Sequence, residues 1–395
     1  MKLNWKQHLL FFMLSQTVSM LGSSIVSLAL IWHVTLQTNS GIAITGITLT
    51  TFLPQVFIML VGGVIADRFP LKRIIIISDT FIAVSTICLA VLYINGYQSI
   101  MWIYVFNCLR SLGSGIQMPA TKSILPEFIP MEELMRANSY STTTWSIVQL
   151  VAPALAGISL SMFSLSMVLL IDVVTAMIGI GLLFFVPVPF VRKQNEGNSL
   201  TDLKSGFHYL QTSKKLKTIM VLYAIFQFLV VPASQLTPLL ASNHLGEELW
   251  ILTSVEVAFS FGAILGSIWL GHKKITFSYV KLLGYSIWIF ALAMGCIIFA
   301  KSVYLFALCM LIMGIGSPFY YTPIITMIQE YSEPQYMGRI FSYVDLFSTI
   351  ATPLGMLVFA PLSQFNLFIP FLLPSIGLFL VGIWIFKNEK KIFTS

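Results

Sequence analysis

Long apolar runs, following one another with scarcely a break, limit this chain more than any other feature of its sequence. The hydrocarbon core of a bilayer takes about 20 apolar residues as a helix. Twelve stretches meet that measure: residues 9–34, 42–66, 73–95, 99–121, 138–161, 167–187, 217–242, 250–271, 276–300, 302–326, 338–362 and 366–387. Each must be helical, because a backbone in hydrocarbon has to satisfy its own hydrogen bonds. Water is not the solvent for such a chain. Apolar residues make up 57% of its 395 and charged residues 9%, where soluble domains carry roughly a quarter charged. The expected fold is an all-α membrane protein of twelve transmembrane helices. Loops are short except for the polar stretch 190–216, so the expected domains are a bundle over 1–189, a linker over 190–216 and a bundle over 217–395.

The net charge of +7 does not point to nucleic acid. The basic residues fall in short clusters at the ends of apolar runs, too sparse to track a phosphate backbone. With the N-terminus in the cytoplasm, every Lys and Arg lies on the cytoplasmic side except Lys301, outside, and Arg110, within the membrane. The positive-inside rule then places both termini and the linker in the cytoplasm. Cys88, Cys108, Cys296 and Cys309 lie in apolar stretches without metal-site spacing and are expected to be buried small residues. The first apolar run is too long for a cleaved leader, and none is expected.

A shift of 203 residues superposes Gly63 on Gly266, Gly113 on Gly316, Glu127 on Glu330, Arg136 on Arg339, Ser139 on Ser342 and Tyr140 on Tyr343 (339 − 136 = 203). An even number of spans separates the copies, so the halves are parallel repeats. A substrate site between them near mid-membrane is expected.

The loop after span two reads Gly62-Gly63-Val64-Ile65-Ala66-Asp67-Arg68-Phe69-Pro70-Leu71-Lys72-Arg73. It resembles the signature loop of the major facilitator superfamily, a glycine, three residues, Asp-Arg and then basic residues, with Pro70 and Leu71 where glycine and arginine are usual. The second-half copy, Gly266 to Lys274, lacks the Asp. Arg110-Ser111-Leu112-Gly113-Ser114-Gly115 in span four is similar to the superfamily's Arg-xx-Gly-x-Gly motif. Ala152-Pro153-Ala154-Leu155-Ala156-Gly157 resembles the antiporter Gly-Pro-xx-Gly-Gly motif, with alanine at two glycine positions. Phe52-Leu53-Pro54, Asp79, Ile171-Asp172-Val173, Glu256 and Gly338-Arg339-Ile340-Phe341-Ser342 resemble the macrolide-efflux branch of drug:proton antiporters. The resemblance implies a gate in which Gly63, Asp67, Arg68 and Arg73 meet span eleven, with Asp67 near its N-terminus and Arg339 and Asp345 on it.

Charges inside a bilayer cost about 2.5–3.5 kcal/mol at the centre of a helix, so each is a functional suspect. Arg110 lies about 11 residues into span four, roughly 16 Å deep, as a permanent cation. Glu256 lies roughly 9 Å below the outer end of span eight. Burial favours a neutral carboxylic acid and a nearby cation its charged form, so Glu256 is expected to exchange a proton under the influence of Arg110. Asp172 is the next candidate. Spans three and six are usually peripheral in this superfamily, which gives Asp79 and Asp172 a structural reading as well. Ser15, Ser19, Ser23 and Ser27 share one face of span one. With Gln16, Ser19 and Ser23 are candidates for the substrate cavity, while small residues equally serve close helix packing. Tyr223, Phe226 and Gln227 in span seven, with Phe319 and Tyr320 in span ten, are candidates for an aromatic wall against an amphiphile.

No Gly-xxxx-Gly-Lys-Ser/Thr loop, His-Glu-xx-His helix or Gly-x-Ser-x-Gly elbow occurs. The expectation is a monomeric plasma-membrane transporter, not an enzyme, without cofactor. It exports a small amphiphile in exchange for protons among membrane lipids. The alternatives are a lipid, lysolipid or siderophore transporter of the same fold, and a non-transporting receptor or intramembrane enzyme.

Overall fold

A computed structural model describes residues 5–130, 133–188, 208–272 and 278–393. Among them run twelve long helices: α1 Trp5–Thr38, α2 Gly41–Arg68, α3 Leu71–Ile94, α4 Ile100–Ser123, α5 Leu134–Met162, α6 Leu165–Phe184, α7 Lys214–Leu245, α8 Leu249–His272, α9 Tyr279–Ile297, α10 Val303–Tyr331, α11 Pro334–Phe359 and α12 Ile369–Phe393. Several outrun the apolar stretches that define them, because a helix continues through the headgroup region after hydrocarbon ends. Eleven are long and apolar enough to cross a bilayer by composition alone. The other is α4, whose hydropathy is lowered by Asn107, Arg110, Ser111 and Gln117. Serines start four of the helices: the side chains of Ser99, Ser213, Ser278 and Ser302 accept from the N–H groups of Met101, Leu216, Lys281 and Leu305. A single π turn, Pro232–Leu236, interrupts α7. The expected linker lies outside the described residues as far as 207.

The chain forms two compact units, 1–34 with 46–196, and 35–45 with 197–395. In the first, α3 packs along α4 and α6. One core cluster joins Leu9 and Phe12 of α1, Ile74 and Ile75 of α3, Ile124 after α4, and Leu183 of α6. The Lys72 ammonium caps the end of α6 by donating to the carbonyls of Val186 at 2.7 Å and Phe184 at 3.3 Å. In the second unit α8 and α10 are in backbone contact. A Cβ on Gly262 or Gly266 would collide with the carbonyls of Leu311 and Ile315, so only glycine allows this approach. The short stretch 35–45 clusters here through Asn39, whose amide donates to Glu247 at 3.0 Å.

Ile77, Met167, Leu292 and Leu380 are exposed on the helix surfaces. A water-soluble chain does not display such continuous apolar surface, and lipid is what covers it. Cys309 is buried as expected, but Cys88 and Cys296 are exposed. In lipid a small apolar side chain has no reason to hide, so the expectation of burial fails for those two.

Candidate functional site

The polar side chains of the first unit converge. Arg110 of α4 and Asp172 of α6 form an ion pair of 2.9 Å, with side chains 6% and 1% exposed. Thr86 of α3 completes it: its hydroxyl accepts from Arg110 Nη1 at 2.8 Å and lies 3.0 Å from Asp172 Oδ2. Ser23 of α1 donates to Asp172 Oδ1 at 2.8 Å. Asp172 therefore has a cation and hydroxyl groups around both oxygens, the conditions under which an ionised carboxylate is tolerated in a low-dielectric interior.

One turn before Ser23 on α1, Ser19 donates to a second carboxylate, Asp79 of α3, at 2.8 Å. The Gln117 amide of α4 donates to the same Oδ1 at 2.8 Å. Thr121, one turn further on α4, donates to Gln16 Oε1 at 3.5 Å. The α1 face is held close to α6 as well. Ser15 donates to the carbonyl of Gly179 at 2.7 Å, and any Cβ on Gly22 would run into Thr175. Asn107 of α4 ties α2 into the assembly through Thr51 at 2.7 Å. Gln16, Ser19 and Ser23, expected along a substrate cavity, thus belong to two hydrogen-bonded groups, Gln16 and Ser19 to the one around Asp79 and Ser23 to the one around Arg110 and Asp172. The ion pair that the structure gives Arg110 is with Asp172 of its own unit, where the sequence pairs it with Glu256.

In the second unit Tyr223, Phe226 and Tyr320 form a buried stack. The rings of Phe226 and Tyr320 are 3.6 Å apart and inclined by 18°, and the Tyr320 hydroxyl donates to the Tyr223 carbonyl at 3.4 Å. Gln227 donates to Ser348 of α11 at 3.0 Å. Phe319 points elsewhere, packing on Trp269 at 5.1 Å. Glu256 of α8 is partly buried and has no hydrogen bond or ion pair among the described residues. Asp345 is exposed and about three turns into α11, deeper than the sequence suggests, because the helix starts at Pro334.

Of the expected gate, Gly63, Asp67 and Arg68 occupy the last turns of α2, and their side chains lie outside the described residues. Arg73 is exposed in a groove of about 650 Å³ with Phe69, Ile77 and Phe81. Arg339 lies over the Tyr336 ring at 5.5 Å, and Tyr336 stacks on Tyr209 at 4.2 Å. Its repeat partner Arg136 likewise covers a tyrosine, Tyr140, at 5.6 Å.

Gln117 and Thr86 are site residues that the sequence reading passes over. Their signal is spacing: Thr86 follows Asp79, and Gln117 follows Arg110, by two helical turns, which puts each pair on one face. Among the described residues no cluster of His, Cys, Asp or Glu is suited to a metal.

Twelve membrane helices, with charges and hydrogen-bonding side chains gathered inside rather than at a soluble domain, define a membrane transporter of the major facilitator type. Its residues 6–387 match the model of the transmembrane secretion effector family, and the chain belongs to that family. It is 27% identical over 369 residues to macrolide efflux protein A of Streptococcus pyogenes, covering 90% of this chain and 89% of that one. It is 26% identical over 325 residues to macrolide efflux protein A of Enterococcus faecalis, covering 79% and 98%. The fold is similar to a solved POT family transporter in complex with 5-aminolevulinic acid, with TM-score 0.75 and 14% identity, over 98% of this chain and 96% of that one. The family and these relatives are transporters, and this chain is a transporter rather than an enzyme.

Proposed function

We propose that the protein exports a small amphiphile, a macrolide-like compound or related metabolite, in exchange for protons. It does so as a plasma-membrane monomer with both termini in the cytoplasm. The observation that carries this reading is the sealed cluster around Arg110 and Asp172, in a chain similar over 90% of its length to a macrolide efflux protein. Charges so costly to bury are kept where they serve ion or proton movement. Glu256 is the coupling carboxylate: with no cation or hydrogen-bond partner among the described residues, it exchanges its proton as the cavity opens to one face and then the other. Arg110, held in place by Asp172, supplies a permanent cation whose field changes if that pair opens during the transport cycle. Tyr223, Phe226, Gln227 and Tyr320 offer aromatic and amide surface to the amphiphile once the second unit rearranges. The end of α2 around Asp67 and the first three turns of α11, with Arg339 and Asp345, serve as the cytoplasmic gate.

The test is accumulation of radiolabelled erythromycin in cells with and without the protein. Expression should lower accumulation, and a protonophore should restore it. Export that survives the protonophore contradicts proton exchange. A chain that moves lysolipid but never erythromycin belongs to the lipid reading.

A further inference from the structure

The first unit buries two carboxylates, and they are not equivalent. Asp172 is neutralised by Arg110. Asp79, 4% exposed, makes both of its hydrogen bonds through Oδ1 and only to neutral side chains, Ser19 and Gln117. We infer that Asp79 is a second proton-exchange site, held apart from the ion pair and reached through Gln117, Thr121 and Gln16. This rests on the reading of the protein as a proton-exchanging transporter and adds a proton-carrying residue to it.

Among the described residues, every basic group near Asp79 has another commitment. On α1 the neighbours, Ser19 and Gln16, are neutral. On α4 Gln117 is neutral and Arg110 is bonded to Asp172 and Thr86. The group facing Asp79 from α6 is Asp172, which is paired with Arg110 and brings no positive charge to it. On α3 itself Lys72 is turned to the end of α6, and Arg73 is exposed near the head of the helix. A charged Asp79 therefore stands in an apolar interior with no counter-ion among the described residues, and a proton is the cation that removes the charge without needing space.

A purely structural tie between α1, α3 and α4 does not need an acid. Asparagine would make the same hydrogen bonds without the cost of a charge. The partners also suit both states of an acid. A serine hydroxyl and a glutamine amide donate to a carboxylate, and by rotation accept from a carboxylic acid, whereas Lys and Arg only donate. One turn beyond Gln117 the Thr121 hydroxyl donates to the Gln117 backbone carbonyl at 3.1 Å and lies 3.5 Å from Gln16 Oε1. Gln16 Nε2 is buried without a hydrogen-bond partner among the described residues. These groups line the α1–α4 side of Asp79 toward the end of α4 that carries Lys122, where an entering water would find hydrogen-bond partners and could carry the proton.

The test is infrared titration of the purified full chain in lipid nanodiscs, following the C=O band of protonated carboxyl groups as pH is raised. Asp79→Asn, which preserves shape, should lose one titrating band that Glu256→Gln retains. Ser19→Ala, which deletes a donor to the ionised form, should move that band's disappearance to higher pH. A spectrum in Asp79→Asn with every titrating band of the wild type overturns the inference, as does a Ser19→Ala titration identical to the wild type. Loss of the Asp79 band together with transport indifferent to a pH gradient keeps the site and removes the exchange reading, so the two fail separately.

Discussion

Asp172→Asn should be among the most damaging single substitutions in this protein, for a reason fixed by the geometry around it. The carboxylate is 2.9 Å from Arg110, and both side chains are almost wholly buried. An amide at position 172 leaves the guanidinium in an apolar interior with its Thr86 contact and no counter-charge. Removing one partner of a buried pair costs about 3–5 kcal/mol. Arg110→Met, which strands Asp172 instead, should cost a similar amount. Replacing both by apolar residues of similar size, Arg110→Met with Asp172→Leu, removes the attraction and both desolvation penalties, and such replacements are often neutral or stabilising. The assay is the thermal unfolding midpoint of each purified variant in one detergent and lipid mixture. Both singles should melt far below the wild type and the double should recover most of the loss. A double variant as unstable as the two singles combined would refute the ion-pair reasoning. The same double variant separates structure from function: it should fold and yet fail to export against a gradient.

Further outcomes follow from the other sites. Single cysteines at Ser199 and Glu247, in a chain lacking its native cysteines, should label only from the cytoplasm and only from outside; the reverse pattern overturns the topology. Asp67→Asn should raise labelling of cysteines placed at the cytoplasmic mouth. A carboxylate at a helix N-terminus contributes about 0.3–1 kcal/mol, enough to shift a balanced pair of states, and unchanged accessibility would remove Asp67 from the gate. Gly266→Leu should lower the unfolding midpoint sharply, since its side chain meets the backbone of Ile315; a midpoint equal to the wild type would mean that α8 and α10 do not touch there.

The twelve helices were legible because a bilayer imposes one length and one composition on every span, and the chain obeys both. The one helix with weaker hydropathy, α4, carries the buried Asn107, Arg110 and Ser111, so the departure from pattern is itself the sign of a site. Arg110, Asp172 and Asp79 were legible as costly intramembrane charges. Their partners were not, because pairing depends on the rotation of α3, α4 and α6 about their own axes, and apolar periodicity is nearly featureless when lipid covers one face and protein the other. Usual peripheral placement gave Asp79 and Asp172 their structural reading, and α1 reaches both through Ser19 and Ser23. The Tyr223–Phe226–Tyr320 stack was legible as composition but not as a stack, for aromatics are common in such helices and their mutual contact is a matter of helix register.

The central claim is that substrate leaves at the expense of a proton entering, and inside-out membrane vesicles test it most directly. With the lumen made acidic, radiolabelled erythromycin should accumulate inside, and adding unlabelled erythromycin should make the lumen more alkaline as protons leave in exchange. Glu256→Gln should abolish both effects while erythromycin binding persists. Erythromycin uptake that is equal with and without the pH gradient, and that leaves luminal pH unmoved, would contradict the account.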